Sequence, residues 1–337
     1  MITADEVSDK NVGSNGLLFT NVTVWTPEID RFGQSVARWI RMGQPGGAVY
    51  GQQRNGKTRA CSYLVRFLPE VLGYQIAVLH WSIPEQIESK QTEREFIQEM
   101  MHQSNCARVM GRDLAVLRRR FLTHLAELAL GAGSKRIVVI IDEAQNLFRA
   151  QYGYLIHCFN SLENFGVQPF FLLVGQPELQ NTPVGWAEAS GMQVLGRFFA
   201  REHRYRGVDR TEVEAVLDGF DMPTDGEACS DLAKRYPAEY EAGWCLRKLA
   251  PFFVEAMDMV MQQHNIQSGL RLPMQYFHST LLDLLYRVKD ENISLLQVST
   301  PMVLTSLKES GFLSVLAYYV DPSSGDSGTH RAVRGMM

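Results

Sequence analysis

The sequence lacks the features of membrane-spanning, secreted and disulfide-stabilised proteins. It contains no run of about 18 apolar residues, so no membrane-spanning helix is expected. The N-terminus, MITADEVSDK, has neither the basic start nor the apolar stretch of a signal peptide. The five cysteines are scattered without a C-x-x-C pair, so their spacing predicts neither a disulfide framework nor a zinc site. We therefore expect a cytoplasmic protein without a membrane partner.

The sequence also has no excess of positive charge and no histidine pattern typical of a metal site. Its formal net charge is −4 and its eight histidines show no ligand spacing. This charge excludes a protein that coats nucleic acid with a generally basic surface. A local basic stripe can still contact phosphates. No segment resembles a helix-turn-helix reader, so sequence-specific DNA recognition is not expected from this chain.

The chain is long enough for about two domains, and its composition is that of a globular protein. It has 337 residues, of which 45% are hydrophobic. We predict a flexible arm over residues 1–20 and an α/β nucleotide-binding domain over 21–207. A helical lid and C-terminal helical region should cover 208–320, and a flexible tail 321–337.

Apolar runs alternate with helical patterns in the first two thirds of the chain. Strands are predicted at 48–50, 76–79, 136–142 and 170–174, with helices at 92–103 and 112–130. The uninterrupted run Ile137-Val138-Val139-Ile140-Ile141 is typical of a central strand in a parallel sheet. After about residue 207 the pattern becomes helical, with helices predicted at 211–220, 226–236, 245–264, 273–288 and 299–312. The fold class is therefore α/β with a parallel sheet, followed by helices.

Residues 51–58, GQQRNGKT, match the phosphate-loop pattern G-x-x-x-x-G-K-[ST]. Glycines allow the backbone N–H groups to approach phosphates closely, the lysine reaches the β- and γ-phosphates, and the hydroxyl binds Mg²⁺. A predicted strand precedes the match and a helix follows it. We therefore predict an ATP site formed by Gly51, Gln53, Arg54, Asn55, Gly56, Lys57 and Thr58.

Two adjacent carboxylates follow the strongest predicted strand. Asp142 and Glu143 come at its C-terminal end, where the sites of α/β proteins lie. Together with Thr58, Asp142 should hold Mg²⁺, and Glu143 should orient and deprotonate the attacking water. This second acid favours an ATP hydrolase over a small-molecule kinase.

These motifs together resemble AAA+ ATPases. The phosphate loop, Asp142-Glu143-Ala144-Gln145-Asn146 and Val174-Gly175-Gln176-Pro177-Glu178-Leu179 are similar to those of the transposition regulators TnsC and TniB. A branch of secretion-associated ATPases shares the same two sequence motifs. The chain length and the helical C-terminal region resemble the TnsC proteins of CRISPR-associated transposons.

The resemblance implies further site residues. Gln176 falls where AAA+ proteins carry a polar sensor beside the γ-phosphate. Arg197, within Gly196-Arg197-Phe198, resembles the arginine finger offered to a neighbouring subunit, with Arg201 and Arg204 as alternatives. Arg247 resembles the second sensor, which contacts the nucleotide from the helical lid.

Candidate DNA contacts lie in two segments. In ring ATPases of this kind, loops after the second strand face the central pore, which implies that Lys90 and Arg94 follow a DNA backbone without sequence preference. The segment from Arg108 to Arg120 is strongly basic, and three consecutive arginines there fan over about 200° of a helix, so they cannot all face one way. Arg112 and Arg119 are the further candidates.

The resemblance implies an ATP-dependent regulator of DNA transposition that oligomerises on double-stranded DNA as a ring or filament. Its partners would be a TniQ-type target-selection adaptor and transposase subunits, and its cofactors ATP and Mg²⁺. Two alternatives stay open: a secretion-associated AAA+ ATPase without a DNA role, and a nucleotide-locked scaffold with little turnover.

Overall fold

The computed structural model describes most of the chain. The described residues are 24–85, 91–107, 109–111, 113–188, 191–223, 228–267 and 269–320. The arm predicted over residues 1–20 and the tail predicted over 321–337 lie outside these ranges. None of the helices in the described ranges is long and apolar enough to cross a membrane.

The described residues divide into two compact units. The sheet unit contains residues 27–209, 269–277 and 315–320, apart from the gaps named above. The helical unit contains residues 24–26, 210–267 and 278–314. The chain therefore returns twice to the sheet unit after leaving it at residue 209.

A five-stranded parallel sheet forms the centre of the sheet unit. Its strands are β1 (Gly46–Tyr50), β2 (Ala77–Ser82), β3 (Arg136–Asp142), β4 (Gln168–Gly175) and β5 (Glu202–Arg204), in the spatial order β2-β3-β4-β1-β5. The central strands β3 and β4 are buried along almost their whole length, as their apolar runs predict. The parallel α/β fold expected from the sequence is confirmed.

The sequence pattern does not predict the edge strand β5. It has three residues, Glu202-His203-Arg204, and none of them is apolar. It forms because it pairs with β1, where Tyr50 lies opposite Arg204. A short, polar edge strand carries no periodic signal, since one side of it faces no neighbouring strand.

Helices cover both faces of the sheet. One apolar core joins α1 and α2 to one face, and a second core joins α3, α4 and α5 to the other. Two of these helices begin at side-chain caps. Thr92 and Glu95 form a capping box at α3, and Asp113 accepts N–H bonds at α4. The helices of this unit are α1 (Pro27–Arg41), α2 (Lys57–Leu72), α3 (Glu93–Gln103), α4 (Leu114–Gly131), α5 (Arg149–Asn164), α6 (Thr182–Glu188) and α7 (Met192–Phe198).

Two of the later helices are shorter than the sequence pattern predicts, whereas the helix predicted over 273–288 extends to Asp290. The helix predicted over 245–264 begins only at Ala250, after a 3-10 turn over Leu246–Leu249. The helix predicted over 299–312 is interrupted after Glu309, where Gly311 has a φ of 80°. The helices are α8 (Val213–Phe220), α9 (Asp231–Arg235), α10 (Pro237–Glu241), α11 (Ala250–Gln263), α12 (Met274–Asp290), α13 (Thr300–Glu309) and α14 (Phe312–Val315).

A buried carboxylate joins α1 to the edge of the sheet. One oxygen of Glu28 accepts a hydrogen bond from the backbone N–H of Arg206, at 3.1 Å, and lies 3.1 Å from His203 Nε2. The other oxygen accepts two hydrogen bonds from the Arg31 guanidinium. Burial raises the pKa of Glu28, but the contacts with His203, Arg31 and Arg206 outweigh it, and the pKa falls below its ordinary value of 4.5.

We predict that Glu28→Gln lowers the free energy of unfolding by about 1–3 kcal/mol at neutral pH, because the variant lacks the hydrogen bonds to a charged acceptor. A lowered pKa stabilises the fold only where the carboxylate is ionised. The contribution of Glu28 is therefore complete above pH 4.5 and disappears as the pH falls through the folded-state pKa.

Urea unfolding at a series of pH values measures this contribution. The stability difference between wild type and Glu28→Gln should narrow below pH 4.5. Glu163→Gln, which changes an exposed acid at the end of α5, is the matched control and should have little effect. A difference that stays constant with pH would contradict the assignment.

Candidate nucleotide site

The phosphate loop lies between β1 and α2. The strand ends at Tyr50, and α2 starts at Lys57, directly after Gly56, whose φ of 94° is in the left-handed region. Lys57 Nζ donates to the carbonyl oxygens of Gly51, at 2.7 Å, and Gln52, at 2.9 Å. The ammonium group is thus held inside the loop by two carbonyl oxygens of the loop itself.

Burial lowers the pKa of Lys57, and the carboxylates of Glu143 and Asp142 oppose this effect. These two residues follow one another where β3 ends. The positive and negative groups of the site therefore lie close enough to influence each other electrostatically.

Asp142 is a buried carboxylate, with 2% of its surface exposed. One oxygen accepts the backbone N–H of Glu143 at 2.9 Å, and the other lies 3.5 Å from His80 Nε2. Burial raises the pKa of Asp142, but its contacts with His80, Thr58 and that N–H outweigh burial and lower the pKa. Asp142 therefore stays ionised beside the Thr58 hydroxyl.

Glu143 is held by two amide side chains. Its Oε2 atom accepts hydrogen bonds from Gln145 Nε2, at 2.5 Å, and Gln176 Nε2, at 3.4 Å. Gln176 follows β4 and in turn accepts a hydrogen bond from Gln53 Nε2 at 2.7 Å. A chain of hydrogen bonds thus connects the phosphate loop, the end of β4 and Glu143. Gln145 also accepts the Gln176 N–H, at 3.0 Å, a positioning role that the sequence did not indicate.

Residues from distant parts of the chain also contact the phosphate loop. The Arg54 guanidinium lies 5.7 Å from the centre of the Tyr276 ring, and its carbonyl accepts the Gln275 N–H at 3.1 Å. The Tyr319 hydroxyl donates to the Gln53 carbonyl at 3.3 Å. The sequence does not indicate these contacts, because no motif marks Tyr276 or Tyr319, and both lie more than 200 residues from the loop.

Arg197, the predicted arginine finger, lies on α7. Its Nη2 atom donates to Asn160 Oδ1 at 3.0 Å, and its guanidinium lies 5.3 Å from the centre of the Phe159 ring. The alternatives Arg201 and Arg204 are exposed, and Arg204 belongs to β5. Arg197 thus contacts α5 through two of its residues, whereas both alternatives lie at the surface.

Arg247, the predicted second sensor, lies in the helical unit. It forms ion pairs with Glu214 and Asp218 on α8, at 3.6 and 3.7 Å. These contacts hold the 3-10 turn before α11 against α8.

Two of the predicted DNA contacts, Lys90 and Arg112, lie outside the described residues. Arg94 on α3 and Arg119 on α4 are both exposed. Each directly follows a member of the ion pair between Glu93 and Arg118, which joins these two helices. Arg94 and Arg119 therefore belong to two neighbouring helices that cover the same face of the sheet.

The family model for the AAA domain matches residues 40–182, which include the phosphate loop, Asp142, Glu143 and Gln176. These matched residues have the fold of an AAA-type P-loop ATPase domain. No curated protein has a sequence that matches this chain significantly.

Solved structures share this ATPase fold. The ORC2 protein of Aeropyrum pernix in its ADPNP–ADP complexes is 13% identical, with a TM-score of 0.56 over 88% of this chain and 70% of that chain. The ADP form of the same protein is also 13% identical, with a TM-score of 0.54 over 88% and 71%. Domain III of the Thermotoga maritima replication initiation protein DnaA is 12% identical, with a TM-score of 0.44 over 89% and 95%. At 13% identity, the likeness to the two ORC2 structures establishes the fold alone.

The loop of the ATPase domain has no room for a side chain at its first residue. A Cβ atom on Gly51 would lie 2.2 Å from the carbonyl oxygen of Tyr205, which follows β5. We predict that Gly51→Ala destabilises the fold by about 1–3 kcal/mol, because the loop and the edge strand must move apart. Thermal unfolding measures the change.

Gly153→Ala is the matched control for this variant. Gly153 lies within α5, and a Cβ atom there would meet nothing within 4 Å. The control should be neutral or stabilising by up to about 1 kcal/mol, because alanine favours a helix over glycine. Equal melting temperatures for Gly51→Ala and wild type would contradict the close approach of Tyr205.

Proposed function

We propose that this chain is an ATP-hydrolysing AAA+ protein that assembles on double-stranded DNA and regulates DNA transposition. One observation carries the proposal: Lys57, Asp142 and Glu143 converge with Gln176 at one edge of the sheet. Two sequence motifs support the link to transposition, because Asp142–Asn146 and Val174–Leu179 are similar to the corresponding motifs of the regulators TnsC and TniB. The chain would connect a TniQ-type target-selection adaptor to the transposase subunits.

The donor atoms beside the phosphate loop fit a magnesium ion. Asp142 is ionised and contacts the Thr58 hydroxyl, and Mg²⁺ prefers oxygen ligands of this kind. Thr58 and Asp142 would hold the ion, which neutralises charge on the β- and γ-phosphate oxygens when bound. Lys57 and the N–H groups of the loop, from Gly51 to Gly56, would hold the phosphates themselves, together with Gln53, Arg54 and Asn55.

Glu143 would remove a proton from the attacking water through a carboxylate oxygen. Gln145 and Gln176 contact one oxygen of this carboxylate and orient it. Gln176 also contacts Gln53 of the phosphate loop, so it would transmit the state of the γ-phosphate to Glu143.

Hydrolysis would require a neighbouring subunit in a ring or filament. Arg197, or one of its alternatives Arg201 and Arg204, would stabilise charge on the phosphates of that neighbour. Arg247 would act as the second sensor from the helical lid. Since the finger crosses a subunit boundary, assembly and turnover would depend on each other.

A nucleotide-locked scaffold is the second candidate function. It is favoured by the hydrogen bonds from Gln145 and Gln176 to Glu143, because a carboxylate occupied by two donors is a weaker base. Turnover measurements distinguish the two functions.

We predict that Glu143→Gln retains ATP binding and lowers the turnover rate by about 10²–10⁴-fold, because a carboxamide cannot take a proton from water. Assemblies on DNA should then last longer than those of wild type. Steady-state ATPase rates and nucleotide binding, measured on the same preparations, give the comparison.

Glu178→Gln is the matched control. Glu178 is an exposed acid that also acts electrostatically on Lys57, so the control makes the same charge change beside the same site. It should keep most of the wild-type rate. A wild-type rate already as low as that of Glu143→Gln would favour the scaffold, and equally reduced rates in both variants would exclude Glu143 as the base.

Double-stranded DNA would contact the face of the sheet that α3 and α4 cover, through Arg94 and Arg119. Lys90 and Arg112 would provide further phosphate contacts. We predict that Arg94→Ala combined with Arg119→Ala weakens DNA binding about equally on unrelated duplexes. The log–log salt slope should become shallower by about 0.9 for each phosphate that the variant no longer neutralises.

Arg66→Ala is the charge-matched control for the DNA experiment. Arg66 is exposed on α2, which packs on the opposite face of the sheet from α3 and α4. Its removal should leave the salt slope unchanged, and ATP binding should be unchanged in all variants. An identical slope for the double variant and wild type would exclude this face as the DNA-binding surface.

A further inference from the structure

Three side chains of different chemistry meet behind the phosphate loop. Cys61 lies on α2, one turn after Thr58, His80 lies on β2, and Asp142 ends β3. One sulfur, one nitrogen and one oxygen atom of these residues all lie within 4.8 Å of one another. His80 Nε2 and the nearer Asp142 oxygen are 3.5 Å apart.

The sheet register explains why these residues meet. In the β2–β3 pair, His80 lies opposite Ile140 and Ser82 opposite Asp142. Residues two apart on a strand share a face, so His80 and Asp142 both lie on the face that α2 covers. Cys61 packs on that face in the same apolar core as Ile140.

Two of the three side chains are almost fully buried, and a ring nitrogen of the third is poorly hydrogen-bonded. Cys61 is fully buried and Asp142 is 2% exposed. His80 Nε2 is buried, and no hydrogen bond of normal geometry reaches it. A buried ring nitrogen whose nearest acceptor is the Asp142 oxygen 3.5 Å away is incompletely paired, which costs free energy, and a bound cation would remove that cost.

We propose that Cys61, His80 and Asp142 form a zinc site. A thiol, an imidazole and a carboxylate suit Zn²⁺ and not the oxygen-seeking cations Mg²⁺ and Ca²⁺. Zn–S bonds of about 2.3 Å and Zn–N bonds of about 2.0–2.1 Å place tetrahedral ligands roughly 3.3–3.6 Å apart. The contact between His80 and Asp142 has this separation. The contacts of Cys61, which lie within 4.8 Å, would close by up to roughly 1.5 Å on binding.

Binding at this site is a ligand exchange without redox chemistry. Zn²⁺ gives up water, the Cys61 thiol releases its proton to solvent as the Zn–S bond forms, and one water remains as the fourth ligand. Cysteine spacing alone does not reveal the site, because its three ligands come from three separate elements.

Zinc at this site would oppose the nucleotide, because Asp142 also contacts Thr58. A carboxylate whose negative charge is shared with Zn²⁺ at Cys61 and His80 would attract a second cation beside Thr58 less strongly. Zinc would therefore weaken binding of Mg²⁺ and ATP, and these would weaken binding of zinc by the same factor. This coupling rests on the proposed function, whereas the zinc site itself does not.

Cobalt(II) titration of the full-length chain without nucleotide tests the site. Co²⁺ replaces Zn²⁺ and reports a bound thiolate by charge-transfer absorption in the near ultraviolet. Wild type should show this band together with the visible bands of tetrahedral cobalt. Cys61→Ala should lose the thiolate band. His80→Asn should weaken binding by more than about tenfold, since even the loss of an outer partner costs that much.

Cys158→Ala is the matched control, because Cys158 is also a buried thiol but packs in the core on the other face of the sheet. It should keep the band and the affinity of wild type. Circular dichroism checks that each variant is folded, and His80→Asn tests the site independently if Cys61→Ala fails to fold. Absence of the band in wild type, or its persistence in Cys61→Ala, would overturn the proposal.

The coupling needs a second titration, with Mg²⁺ and a non-hydrolysable ATP analogue present. Cobalt affinity should fall by about tenfold or more, as expected for ligands that compete for one carboxylate. Unchanged cobalt affinity, in a protein shown separately to bind the analogue, would overturn the sharing of Asp142. Failure to bind the analogue without cobalt would instead contradict the proposed function.

Discussion

The parallel alignment of β1, β4 and β3 determines where every polar group of the candidate site lies. Tyr50 pairs with Gly175 in this sheet, and Ile141 pairs with Leu173, so the three strands end at one edge. The phosphate loop, Gln176 and the two carboxylates each follow one of these ends. A shift of one residue in this register would turn Asp142 to the other face of the sheet, away from Thr58 and His80.

Burial makes the charges of this edge depend on one another. Lys57 is buried deeply enough for its pKa to fall, and the nearby carboxylates limit that fall. Asp142 stays ionised because its contacts with His80, Thr58 and an N–H group outweigh its burial. Removing one partner would leave an uncompensated charge in a medium of low dielectric constant, which is strongly unfavourable.

Much of this site could be predicted from the sequence, because its main residues lie next to long apolar runs or in a fixed-spacing loop. The runs at 137–141 and 170–174 are buried on both faces, and burial of that kind leaves a clear pattern. The edge strand β5 left no such pattern, since its three residues are polar and pair on one side only.

Contacts made across the fold could not be predicted. The bonds of Glu28 to residues near 205 and the cluster of Cys61 with His80 depend on packing between separate elements. No local spacing encodes such packing, because each residue alone is compatible with an ordinary helix or strand. The roles of Arg197 and Arg247 stay predictions, since they concern a neighbouring subunit and a bound nucleotide.

The phosphate loop itself is kept in shape by distant residues. Arg54 has a φ of 64°, a region in which a residue other than glycine costs of the order of 1–3 kcal/mol. Such a conformation persists only where surrounding contacts fix it. Here the Gln275 N–H donates to the Arg54 carbonyl, the Tyr276 ring faces the Arg54 guanidinium, and the Tyr319 hydroxyl donates to the preceding carbonyl of the loop. Because these contacts come from the start of α12 and from the end of the described chain, any movement of those segments changes the strain on Arg54. The conformation of the phosphate loop therefore depends on the position of these two segments within the sheet unit.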